Sequence, residues 1–65
     1  MRNCVRDLRA NHGSLTQQSL ADQVGVTRQT IIALEGGSYT PSLALALRIA
    51  KVFDQSVEEV FWLED

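Results

Sequence analysis

Cysteine, histidine and proline each occur once in this 65-residue chain, and aromatic residues only four times. A single Cys4 excludes an internal disulfide, and with only His12 beside it no Cys/His set with zinc spacing can be assembled. A reducing, cytoplasmic setting is the expectation. Apolar runs stay far below the roughly 18 residues of a membrane span. No signal-peptide core follows Met1-Arg2-Asn3, so no membrane partner is expected. Also missing are a nucleophile–base pair at workable spacing, a phosphate-cradling glycine loop and a metal constellation; the reading is no enzyme, no catalytic residue, no metal and no cofactor. A chain this short has a marginal core, and with metal and disulfide excluded, self-association is the expected supplement.

Cations are scarce as well, and the net charge is −2. Their distribution is uneven. Residues 1–30 carry four arginines against two aspartates, net +2, whereas residues 31–65 carry two cations against six acids, net −4. Such asymmetry allows one basic and one acidic end, and is equally compatible with a solvated mixed surface.

What is present is a series of short, well-punctuated helical segments. A first helix runs from about Val5, with Val5, Leu8 and the stem of Arg9 on one face, to His12-Gly13. Thr16 is a natural cap for a second, carrying Leu20, Ala21 and Val24 and ended by Gly25. Thr27 caps a third, with Ile31 and Leu34 inward and Glu35-Gly36-Gly37 as its end. Pro41 fits the first turn of a fourth, SLALALRIAKVF, whose apolar arc is wide: Leu43, Ala46, Leu47, Ala50 and Phe53 on one side, Leu45, Ile49 and Val52 on another. Ser56-Val57-Glu58-Glu59 reads as a capping box opening a fifth.

The second and third segments, joined by a short turn containing Gly25, have helix-turn-helix spacing. Gln17 and Gln18 open one helix, and Arg28, Gln29 and Thr30 the other, with no acid at either start. Helix stability alone favours Asp or Glu there. Their absence suits an anionic partner. One residue does not fit a single core: Ile32 follows Ile31 and points about 100° away from it, so it faces something other than its own interior.

Taken together, LTQQSLADQVGVTRQTIIALEGG, then SYTPSLALALRIAKVF, then SVEEVF, which lie within residues 5–61, closely resemble the Cro and phage-repressor-like (Xre-type) helix-turn-helix regulators. The likeness is greatest to short bacterial and archaeal members that are little more than the DNA-binding domain. It implies an all-α, five-helix, lambda-repressor-like domain over residues 1–65, with the helix-turn-helix at about 16–35 and the recognition helix at about 27–36. It further implies short strands from residues 1–5 and 61–65 that pair, and a dimer repressing transcription from a palindromic operator on double-stranded DNA. Residue by residue, Arg28, Gln29 and Thr30 match positions that reach base edges, with Ile32 and Ala33 able to meet thymine methyls. Gln17, Gln18, Thr27, Ser38, Tyr39 and Thr40 match positions on the sugar-phosphate backbone.

Several positions depart from the family pattern. Ser19 replaces the glutamate of a capping box, so a weaker cap is expected at Thr16; the corner Gly13-Ser14-Leu15 is one residue longer than usual; and Gly36-Gly37-Ser38 lacks a frequent cation. Fewer cations mean weaker binding with a shallower salt dependence. Bland alternatives also stand: Gln17 and Gln29 as solvent-facing helix residues, Arg28 paired with Asp22, Cys4 as a small interior residue, and His12 at helix-end carbonyls. Leu47, Val52, Phe61, Trp62 and Leu63 are the candidate dimer surface, with Trp62 placed either there or over its own first helix. The functional rival is a module that binds another regulatory protein on the same scaffold, favoured by the negative charge and Ile32.

Overall fold

Hydroxyl groups start four of the five helices. Thr16 Oγ1 accepts the Ser19 N–H at 3.0 Å, Thr27 Oγ1 that of Thr30 at 3.3 Å, Ser42 Oγ that of Leu45 at 3.1 Å and Ser56 Oγ that of Glu59 at 3.3 Å. Each bond occupies a donor that the first turn leaves without an intrahelical partner. The computed structural model describes residues 1–64. Its elements are β1 (Arg2–Asn3), α1 (Val5–Asn11), α2 (Gln17–Val24), α3 (Arg28–Glu35), α4 (Leu43–Val52), α5 (Val57–Val60) and β2 (Phe61–Trp62). At α5 the capping box is complete, because the Ser56 N–H also donates to Glu59 Oε1 at 2.8 Å. At α2 only one half exists, yet the Thr16 bond is no longer than the others.

One start differs from the sequence reading. Pro41 lies outside α4, since Ser42 takes the cap and Leu43 is the first helical residue. Left-handed backbone recurs at the corners between helices, and two of these corners flank α2. Gly25, at φ 77°, turns the chain out of α2, and its N–H and that of Val26 both return to the Ala21 carbonyl, at 2.9 and 3.0 Å. The longer corner after α1 is absorbed by two successive left-handed residues, Gly13 at φ 66° and Ser14 at φ 55°, after which Leu15 N–H reaches the Arg9 carbonyl at 3.0 Å. Serine at positive φ is strained, a cost that the added residue imposes.

Every helix contributes to one core. Val5 from α1, Leu20 from α2, Ile31 from α3, Ile49 from α4 and Val60 from α5 are fully buried, each contributing about 1.5–3 kcal/mol relative to exposure. The wide apolar arc of α4 is used in part on both sides. Leu45, Ala46, Ile49 and Ala50 face inward, whereas Leu43 and Leu47 are 71% and 53% exposed. Both apolar sides therefore supply core residues, and Leu43 and Leu47 stay open, Leu47 being one of the residues placed on the candidate dimer surface.

The chain ends pair antiparallel, Arg2 opposite Trp62 and Asn3 opposite Phe61, and the Cys4 N–H extends the pairing to the Val60 carbonyl at 3.1 Å. Alternation along the strand sends neighbouring side chains to opposite faces. Phe61 thus enters the core at 5% exposure while Trp62 stays 39% exposed. This removes Phe61 from the candidate dimer surface, and Val52 is half-buried against the same core. Asn3 ties the ribbon to two helices: its Nδ2 donates to the Leu34 carbonyl at 2.9 Å, and its Oδ1 accepts the Val5 N–H at 3.1 Å. The Cys4 thiol donates to the Glu59 carbonyl at 3.4 Å. Burial, aided by nearby Asp7, pushes its pKa up, which keeps it a thiol. His12 ends α1, with its N–H on the Arg9 carbonyl at 3.2 Å and its ring edge-on to Phe53 at 5.5 Å. Among the described residues, no helix is long and apolar enough to cross a membrane.

Candidate nucleic-acid interface

The third helix shows its polar half to solvent because Ile31 and Leu34 hold the opposite side in the core. Arg28 and Gln29 are exposed, and neither α2 nor α3 has an acid in its first turn. Thr30 is half-buried, and its hydroxyl shares a 3.1 Å hydrogen bond with that of Thr27. Thr27 is exposed, with its oxygen also engaged in the cap. Arg28 does not pair with Asp22. That carboxylate instead accepts from Gln18 Nε2 at 2.9 Å, one helical turn away.

Glu35 closes the helix from within. Its side chain, 6% exposed, accepts from both Nε and Nη2 of Arg9, the latter at 2.9 Å. Arg9 Nη1 also donates to the Leu15 carbonyl at 2.9 Å, and Gln17 Nε2 to Glu35 Oε1 at 3.1 Å. One carboxylate therefore joins α1, the start of α2 and the end of α3. Gln17 keeps a second amide hydrogen, so bracing α3 leaves it a donor for a phosphate. Sequence reading missed Arg9 and Glu35 as a pair. The available signal was the stem of Arg9 on the inward face of α1, since a charge placed there needs an opposite charge.

Ile32, 39% exposed, lies with Arg28 on one flank of α3. Both line a cleft of about 820 Å³ bounded by Arg6, Arg9 and Ala10 of α1 and by Gln17 and Gln18 at the start of α2. Ala33 is less open than its place on the wheel implies. The Ser38 N–H and hydroxyl both donate to its carbonyl, at 3.1 and 3.2 Å, and the returning loop partly covers it. Ser38, Tyr39 and Thr40 are exposed on that loop. Of the candidates for base edges, Arg28, Gln29 and Ile32 are thus open and Thr30 and Ala33 half-open. Leu47, Trp62 and Leu63 lie on other elements, and Trp62 and Leu63 share a groove with Met1, Pro41 and Leu43.

A family profile described as helix-turn-helix matches residues 5–60, most of the chain. The chain belongs to the helix-turn-helix family of transcriptional regulators. Over its full length it is 54% identical to the uncharacterised HTH-type transcriptional regulator YgzD of Bacillus subtilis, covering 97% of that protein. It is 52% identical to an uncharacterised HTH-type transcriptional regulator of Methanocaldococcus jannaschii, again covering 97%, and 49% identical to one of Archaeoglobus fulgidus, covering 91%. As a family member it is a DNA-binding regulator and not an enzyme. Its helix-turn-helix comprises α2, the Gly25 turn and α3.

Proposed function

We propose that this helix-turn-helix protein is a dimeric repressor that binds a two-fold operator, reading bases with Arg28 and Gln29 and touching the backbone through Gln17, Gln18, Thr27 and the Ser38–Thr40 loop. The observation that carries this reading is the exposed, acid-free start of α3, a helix capped by Thr27 and held at its other end by the Glu35 carboxylate bonded to α1 and α2. Arginine pairs bidentately with guanine and glutamine with adenine. The open leucines Leu43 and Leu47, together with Trp62 and Leu63, form the apolar surface for a second copy. Two recognition helices about 34 Å apart match successive major grooves, a span within reach of two domains each 31 Å in longest extent. Repression follows from occupying a promoter, in the cytoplasm, where an unpaired Cys4 stays reduced.

The test is an anisotropy titration on sites enriched from random duplex DNA, repeated at several salt concentrations. Gln29→Ala should cost about 1–3 kcal/mol at one or two base positions. Gln17→Ala should weaken all sequences alike; exchanged outcomes would refute the assignment. The exposed Ile32 and the net charge of −2 favour one competing reading, a module that holds another regulatory protein. Absence of any shifted complex at low salt, together with a stoichiometric co-purifying protein, would select it.

A further inference from the structure

The cleft between α1 and α3 has two walls of different chemistry. On α1, Arg6, Arg9 and Ala10 line it at i, i+3 and i+4, one face of the helix; on α3, Arg28, Ile32 and Glu35 line it at i, i+4 and i+7. Arg9 and Glu35 neutralise each other across it. Arg6 and Arg28 make no ion pair among the described residues, so two positive charges face the opening without a counter-ion. The start of α2 adds the Gln17 and Gln18 side chains and first-turn N–H groups, again with no acid. Arg6 is exposed, holds no hydrogen bond among the described residues and has no part in the core.

We propose that this cleft seats the DNA phosphodiester backbone, and that Arg6 of α1, outside the helix-turn-helix, is a phosphate-contacting residue on its far wall. The inference rests on the DNA-binding reading above. The chemistry selects a phosphodiester strand: the unpaired Arg6 guanidinium supplies charge to the phosphates, the amides supply neutral donors, Ala10 offers a methyl to deoxyribose carbons, and Arg28 and Ile32 on the opposite wall lead from the strand to the bases. Position agrees with it. A duplex whose major groove receives α3 carries its backbone along the flank of that helix, and Arg28 and Ile32 are the residues on that flank. The contact is blind to sequence, so Arg6 sets affinity and salt dependence while Gln29 sets specificity.

The experiment compares wild type, Arg6→Ala, Arg6→Lys and, as a charge-matched control, Arg48→Ala on the exposed side of α4, titrated into an enriched operator duplex and a scrambled duplex between 50 and 200 mM salt. One phosphate contact contributes about 0.9 to the slope of log K against log salt, which is a factor of about 3.5 in affinity over that range. Arg6→Ala should lower the slope by that amount, weaken both duplexes by the same factor and leave the thermal midpoint unchanged, while Arg6→Lys retains the slope. A slope for Arg6→Ala equal to that of Arg48→Ala would overturn the proposal. So would a loss confined to the operator. Should wild type itself bind neither duplex, the DNA-binding reading falls and takes this one with it; wild-type binding with an indifferent Arg6 removes this inference alone.

Discussion

Replacing Glu35 tests whether the buried carboxylate holds the three helices together. Glu35→Leu leaves the Arg9 guanidinium, whose side chain is only 15% exposed, with a single partner, the Leu15 carbonyl. Breaking such a pair from one side costs about 3–5 kcal/mol, because a charge stays buried and uncompensated. Arg9 retains some solvent and one hydrogen bond, which places the expected loss near the lower end, about 3 kcal/mol. A domain of this length has roughly 3–10 kcal/mol in total, at about 0.05–0.15 kcal/mol per residue. The single substitution therefore removes a third or more of the stability. Since 1 kcal/mol moves the midpoint of so small a domain by about 4–8 °C, thermal denaturation should show a drop of at least ~12 °C. Arg9→Met should be comparably damaging, but the double variant, with neither charge present, should return to within about 1 kcal/mol of wild type or exceed it. The cycle thus gives a coupling of several kcal/mol. Additivity within about 0.5 kcal/mol would refute the reasoning and make the pair energetically idle.

Two further outcomes follow from other parts of the fold. Trp62→Ala, which trims a side chain already 39% exposed, should raise the dimer dissociation constant by about 30-fold, the effect of losing a central aromatic anchor; an unchanged sedimentation equilibrium profile would remove Trp62 from the interface. The Ser56 backbone N–H, and secondarily its side chain, hold the Glu59 carboxyl below the ordinary glutamate value. A folded pKa below the unfolded one stabilises the protein above the unfolded value and loses that contribution as pH falls through the folded one. The stability gap between wild type and Glu59→Gln should accordingly be constant near neutrality and close in acid. A gap that widens on acidification would contradict the capping geometry.

Three helix starts were legible because each depends on a hydroxyl and the three residues after it. Thr16, Thr27 and Ser56 cap as their positions imply, and Gly25 turns as its missing Cβ allows. Pro41 misled because proline suits both the first helical turn and the residue before a cap, and only the Ser42 hydroxyl decides between them. The exposure of Leu43 was illegible for a different reason. Periodicity shows that two stripes of α4 are apolar, but which of their residues are covered depends on how the neighbouring helices pack. Phe61 and Trp62 were read as one cluster, and the two-residue strand splits them, since strand alternation places adjacent side chains on opposite faces. The Arg9–Glu35 pair spans 26 residues, and no local pattern joins them.

An isolated helix of eight residues is marginal in water, so the order of α3 must come from outside it. Its start is fixed by Thr27, its middle by Ile31 and Leu34 in the core, and its end by Glu35 on one side and by Asn3 on the Leu34 carbonyl on the other. Rigid placement of this kind means that the entropy of ordering the reading surface is lost on folding and not on binding. It also makes the terminal ribbon part of the reading apparatus. Asn3 pairs with Phe61 in the ribbon whose next residue is the exposed Trp62, and its side chain grips the last turn of α3. In the proposed dimer, docking of a second copy at Trp62 and the orientation of the helix that meets DNA would thus share one mechanical link. For that reason, changes at the chain ends, far from any base, are expected to alter operator affinity together with dimerisation.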